Sequence, residues 1–262
     1  MKNVTEYQVT EGIGVLQVTR PEARNALNWQ AQVEFAAAVA AAAGDTALRV
    51  LIITGAGDQA FVSGGDLREL ARHPEKAAAE RLNRTMSAAL AQLQALPLPV
   101  IAAINGDAFG GGCEIVTACD LRLAAAHARL GFAQVRNGLT TGWGGTGRLV
   151  RLLGQSRALE LLLTGRVLTA TEAQQIGLVQ RVVPAGEQTL AAARAWAAEL
   201  ADLPQDALAA LKLLTHAAGQ LSLPETNAYE AQLFNQLWNE PNHREALDAF
   251  LEKRPPRFNR PL

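Results

Sequence analysis

Apolar and polar positions follow two alternating textures through the first two thirds of the chain. Val15-Leu16-Gln17-Val18-Thr19 is β-rich and ends at Arg20-Pro21, where proline stops a ladder. Asn28 then opens an alanine-rich run that reaches Gly44, the pattern of a helix with an asparagine cap and a glycine stop. Val50-Leu51-Ile52-Ile53-Thr54 is an unbroken apolar run closed by Gly55, as in a strand covered on both faces. A glycine-rich loop, Gly55 to Gly65, leads toward a predicted helix over Lys76 to Leu96. Pro99 opens a second such strand, Val100 to Ile104, and Gly106 begins a second glycine-rich loop. Gly110-Gly111-Gly112 runs into a helix that carries Cys113 and Glu114. Strand, loop and helix recurring in this order predict an α/β domain with stacked or parallel strands.

Past residue 186 the strand texture stops. Glu187 to Leu200, Asp206 to Ala218, Pro224 to Asn239 and Asn242 to Lys253 read as helices. Thr169-x-x-Glu172, Ser222-x-x-Glu225 and Asn242-x-x-Glu245 have the form of capping boxes, and Ser156 reads as a helix cap. A soft boundary near residue 195 separates an α/β core, 1–195, from a C-terminal helical part, 196–262.

Composition narrows the function classes. Of 262 residues, 49% are hydrophobic and 19% charged, and the net charge is −1. Such a chain buries a globular core, and it lacks the basic excess of a generic nucleic-acid or membrane-surface binder. Its longest wholly apolar run, Phe35 to Ala43, is too short to span a bilayer, and its first residues lack the apolar core of a signal peptide. Two cysteines, Cys113 and Cys119, make no disulfide framework, so a reducing, cytoplasmic setting is expected.

Candidate chemistry concentrates in the two glycine-rich loops, each set beyond a buried strand, where α/β folds place ligands. Glycines let backbone approach a ligand and leave N–H groups free to point at it. One N–H from each loop makes an oxyanion hole. The same glycines equally suit tight turns and close helix–strand packing.

Ala60-Phe61-Val62-Ser63-Gly64-Gly65-Asp66-Leu67 and Asn105-Gly106 through Gly110-Gly111-Gly112-Cys113-Glu114 resemble the paired signatures of the crotonase (enoyl-CoA hydratase/isomerase) superfamily. Further similar stretches run nearly the whole length. They include Arg20-Pro21 with Asn25-Ala26-Leu27, Ala118-Cys119-Asp120-Leu121-Arg122, Gly144-Gly145-Thr146 and Phe250 through Pro256. The resemblance implies a crotonase-type spiral of ββα units, with the C-terminal helices assembling a homotrimer or a dimer of trimers. It implies an acyl-CoA thioester as substrate, CoA entering only as part of it, and neither cofactor nor metal. The amides of Gly65 and Gly111 then hold the thioester oxygen as it becomes an enolate, each donor worth about 3 kcal/mol. Ser63, within the first signature, and Trp143, before Gly144-Gly145-Thr146, are expected among the substrate-binding residues. By the same resemblance Arg24, Ala26, Asp66, Leu67 and Arg68 lie against CoA, and Lys253 and Phe258 reach it from the tail.

The reaction turns on Glu114 and its partner. Family hydratases resemble one another in carrying two glutamates, one matching Glu114 and one eight residues before the position of Gly142. Here that second position is Gln134, an isostere that hydrogen-bonds but exchanges no proton near neutral pH. Hydratase-like lyase or isomerase chemistry is the family expectation. Single-acid isomerases typically keep their acid at positions matching Gln134 or Gly142, which carry none here. Some decarboxylating members keep the first glutamate, replace the second and carry Trp-Gly-Gly, as in Trp143-Gly144-Gly145. Decarboxylation of a 2-carboxyacyl-CoA such as methylmalonyl- or ethylmalonyl-CoA is therefore an alternative, with a burial-raised Glu114 as proton donor. A catalytically silent CoA-binding protein is another.

Gly142-x-Gly144-x-x-Gly147 spells a dinucleotide fingerprint, but it lacks both a leading strand and an acidic residue some twenty positions on. Four scattered histidines and two cysteines offer no metal-ligand spacing.

Overall fold

The computed structural model describes residues 3–258. An antiparallel hairpin, β1 (Thr5–Thr10) and β2 (Ile13–Val18), starts the chain. Helix α1 (Trp29–Gly44) follows, and the Asn28 side chain accepts from the Ala31 N–H as its cap. Three turns of a spiral come next. The first is β3 (Val50–Gly55), β4 (Ala60–Val62), then α2 (Leu67–Leu70) and α3 (Lys76–Ala95). The second is β5 (Val100–Ile104), β6 (Asp107–Phe109) and α4 (Gly111–Ala118). The third is β7 (Leu121–Ala125), β8 (Arg129–Gly131), a 3₁₀ turn over Ala133–Asn137, then α5 (Gly145–Leu153) and α6 (Gln155–Thr164). The chain closes through β9 (Leu168–Thr169), α7 (Ala170–Gln175) and β10 (Arg181–Val183). Helices α8 (Thr189–Ala201), α9 (Gln205–Ala218), α10 (Leu223–Leu237) and α11 (Pro241–Glu252) end it.

Each turn of the spiral deposits one strand in each of two sheets. The larger sheet runs β1-β2-β3-β5-β7-β10 and is parallel beyond the first hairpin. The smaller runs β4-β6-β8-β9. Every residue of β3 and β5 is buried, which explains their unbroken apolar sequences. One face of the large sheet packs against α1, α3 and α4 through Phe35, Leu51, Ile53, Leu90 and Ile104. The other packs against α8, with Trp196 and Ala197 over Ile52, Ile101 and Leu123.

Several local expectations shift. The stretches read as glycine-rich loops each contain a three-residue strand, β4 and β6, too short to show a period-two pattern. The boundary expected near 195 falls inside α8, whose Trp196 and Ala197 belong to the core of the large sheet. Thr169 and Ser222 do form capping boxes. Asn242 does not: Glu240 occupies the cap position ahead of Pro241, and Asn242 Nδ2 donates to Asp206 Oδ1 at 2.9 Å. Ser156 lies inside α6, because Gly154, at φ +77°, makes the junction with α5.

Candidate active site

Several chain segments converge on a cavity of about 400 Å³. The turn after β4 contributes Ser63, Gly64, Gly65 and Leu67, and the start of α4 contributes Gly111 and Glu114. Gln134, Thr141, Gly142 and Trp143 come from the segment between β8 and α5.

Close packing explains the glycines. A Cβ on Gly112 would lie 1.8 Å from the Val62 carbonyl oxygen, so α4 presses directly on β4. A Cβ on Gly111 would lie 2.2 Å from the Trp143 ring. Gly64, at φ +96°, brings its backbone so near that a Cβ would sit 3.1 Å from the Gly111 nitrogen. The two turns touch.

Among the described residues, neither the Gly65 nor the Gly111 amide is spent on a protein acceptor. The bridge around Gly65 is made by its neighbours: Leu27 N–H donates to Gly64 O at 2.8 Å, and Asp66 N–H donates to Leu27 O at 3.1 Å. Gly111 is the first residue of α4, so its N–H has no partner within that helix and sits at the positive end of the helix dipole.

Glu114 is 2% exposed and is held by four donors. Oε2 accepts from Trp143 N–H at 2.7 Å and Gly145 N–H at 2.9 Å. Oε1 accepts from Gln134 Nε2 at 3.0 Å and Gly142 N–H at 3.2 Å. A carboxylate on α4 thus serves the N-terminus of a different helix, α5, whose Gly144 cap has no side chain to offer. Arg148 on α5 donates to the Trp143 carbonyl and fixes this turn from behind. Burial lowers the Arg148 pKa, while the charge of Glu114 opposes that shift. Cys113, next to Glu114, is a buried thiol pushed up to about 12, chiefly by desolvation.

The cavity brings together Ser63, Gly65, Leu67, Gly111, Glu114, Gln134 and Trp143 of the expected residues. It does not gather the others. Asp66 is engaged elsewhere: it pairs with Arg20 at 3.0 Å and caps α2 through the Arg68 and Glu69 N–H groups. Ala26 is buried, and its carbonyl accepts from Arg20. Arg68 stands exposed on α2. Arg24, at φ +52°, lines a separate depression with Glu22 and Asp58. Lys253 ends α11 in the left-handed region, and neither it nor Phe258 lines the cavity.

The structure adds residues that local sequence did not single out. Asn83 on α3 approaches Gly142 so closely that a Cβ there would meet its Oδ1 at 2.4 Å. Ser87 Oγ donates to Gly142 O at 3.1 Å. Asn83 is exposed and lines the cavity, whereas Ser87 is half-buried and reaches only the Gly142 carbonyl; a polar residue on an amphipathic helix does not by itself signal proximity to any particular residue. Glu114 is, among the described residues, the only titratable side chain lining the cavity. Among the described residues no His, Cys, Asp and Glu are grouped to hold a metal ion, and no helix is long and apolar enough to cross a membrane.

A two-sheet ββα spiral with two unspent amides and one carboxylate around a single cavity defines a scaffold suited to stabilising an anionic oxygen. The family model for enoyl-CoA hydratase/isomerase matches residues 8–261. The chain is 40% identical to the 2,3-dehydroadipyl-CoA hydratase of Escherichia coli over 93% of its own length and 94% of that protein's. It is 38% identical to the crotonyl-CoA hydratase of Syntrophomonas wolfei, covering 95% of each. Its fold matches the crystal structure of an enoyl-CoA hydratase from Bacillus anthracis with a TM-score of 0.93 at 33% identity, over 97% of this chain and 98% of that one. The chain belongs to the enoyl-CoA hydratase/isomerase family of enzymes.

Proposed function

We propose that the protein hydrates a 2-enoyl-CoA thioester, with CoA entering as part of the substrate. The observation that carries this reading is the pair of unspent amides, Gly65 and Gly111, lining one cavity with Glu114. The thioester oxygen sits between the two N–H groups. Glu114 takes a proton from water, and the hydroxide adds at the β-carbon. The double-bond electrons move onto the thioester oxygen, where the two donors and the α4 dipole hold the enolate charge. Glu114 then returns the proton to the α-carbon, so one carboxylate serves in turn as base and acid. The relatives named as hydratases support the same reaction.

Decarboxylation fits less well. A 2-carboxyacyl substrate brings its carboxylate into a cavity lined by the acidic side chain of Glu114 and, among the described residues, by no Lys or Arg to offset it. The deciding experiment follows loss of the conjugated thioester absorbance of crotonyl-CoA, with methylmalonyl- and ethylmalonyl-CoA tested for CO₂ release. Hydration at about 10 per second supports the reading. CO₂ release without hydration replaces it with the decarboxylase, and CoA-ester binding without either reaction replaces it with a silent binder.

A homotrimer or dimer of trimers is proposed alongside. Helices α9 and α10 bury no residue within one chain and α11 buries only Ala249, while Leu223, Phe234, Trp238, Phe250 and Leu251 stand exposed. Apolar area of this kind marks an interface. Light scattering on the purified protein is expected to give three or six copies; a monomer rejects the assembly. Cys113 and Cys119, unpaired and buried, suit a reducing compartment such as the cytoplasm.

A further inference from the structure

We infer that Gln134 is a positioning residue that selects Oε1 of Glu114 as the oxygen that moves protons, an inference that rests on the hydration reading. A carboxylate only accepts, so the amide nitrogen of Gln134 must face Glu114 and its Oε1 must face away. That Oε1 is buried and finds no donor among the described residues. A buried amide left half-matched is a poor choice for packing alone, where an apolar side chain of similar length leaves no orphan acceptor. Its nitrogen is the part in use.

The two oxygens of Glu114 are held differently. Oε2 takes two backbone donors at 2.7 and 2.9 Å, both fixed by the start of α5. Oε1 takes the longer Gly142 contact at 3.2 Å and the Gln134 side chain at 3.0 Å. The side chain is the one donor of the four that rotates about its own bonds, so Oε1 is the oxygen that can be vacated for a proton without disturbing a helix. Gln134 therefore compensates for the missing second acid by aiming the acid that remains. The charged and titratable groups around Glu114 are Arg148 on α5 and Cys113 on α4; both stay in place in the variants below.

Two variants and two reactions test this. Crotonyl-CoA hydration reads the full reaction. Exchange of the α-hydrogens of butyryl-CoA in D₂O, followed by NMR, reads proton transfer at the α-carbon without water addition. Gln134→Met, similar in length but unable to donate, is expected to lower kcat for both by about tenfold or more, with KM and the melting temperature little changed. Gln134→Glu donates to Glu114 only while it holds a proton, so its activity is expected to recover as pH is lowered and to show two ionisations. A Gln134→Met enzyme with wild-type kcat in both reactions overturns the inference and leaves hydration standing. So does a Gln134→Glu enzyme faster than wild type at neutral pH, which assigns the position to a second acid. Wild-type exchange without hydration, still lost in Gln134→Met, keeps the inference and removes the hydration reading. Absence of both reactions from the wild type takes Glu114 out of proton transfer and overturns both.

Discussion

The turn after β4 and the turn after β6 each line the cavity with a glycine and each carry an acid nearby, yet they are built to different tolerances. The second turn opens α4, all eight residues of which are buried, and its glycines abut Val62 and Trp143 with no room for a methyl group. The first opens α2, a single helical turn with no buried residue, and a Cβ on Gly65 would meet the ends of two flexible side chains, Leu70 at 3.1 Å and Leu82 at 4.0 Å. The acids diverge in the same way. Asp66 is tied to Arg20 and to the α2 amides, whereas Glu114 faces the cavity. Fixed geometry on one side and an adjustable edge on the other suit a site that must hold a developing charge while admitting a substrate.

Breaking the rigid half should have the largest effect. Gly111→Ala drives a methyl group into the Trp143 ring, which must shift and carry the Glu114 donors with it. The expected result is a fall in kcat/KM of about 10²- to 10³-fold, with a loss of about 1–3 kcal/mol in denaturant unfolding. Wild-type kinetics would show that the second turn yields as readily as the first. Next comes Glu114→Gln, which keeps the shape but turns an N–H donor toward amides that already donate. Turnover should drop by about 10²-fold or more; an unchanged rate removes Glu114 from the mechanism.

Gly65→Ala sharpens the contrast from the other side. Gly65 does not adopt a positive φ, so alanine fits the backbone, and Leu70 can move. The cost should stay near 1 kcal/mol, or about fivefold in kcat/KM; a loss equal to that of Gly111→Ala would make the two turns equivalent. The smallest effect is on pH. The Cys113 thiol is raised from 9.0 to about 12 in the folded protein. The unfolded thiol loses its proton first as pH rises, so the folded state binds more protons between these values and stability declines across that window. Below pH 9 the contribution is intact. Melting temperatures measured from pH 8 upward should fall less steeply in Cys113→Ala, and a parallel decline would assign the alkaline loss to other groups.

Local sequence determined much of this molecule. Unbroken apolar runs announced β3 and β5, because a strand covered on both faces has no polar side to show. Asn28, Thr169 and Ser222 announced their helices, because a cap is satisfied within three residues. The family resemblance implied Gln134 as the position paired with Glu114, and the two side chains do meet. Tertiary structure alone decided the rest. The smaller sheet consists of strands of two or three residues whose pairing energy comes from partners far along the chain, so no periodicity betrays it. Asp66 was taken up by Arg20, 46 residues away, and Glu114 by the amides of a helix that begins 31 residues later. A carboxylate's type and its neighbours in the chain do not say which distant donors will reach it, because only folding brings those donors within hydrogen-bond range.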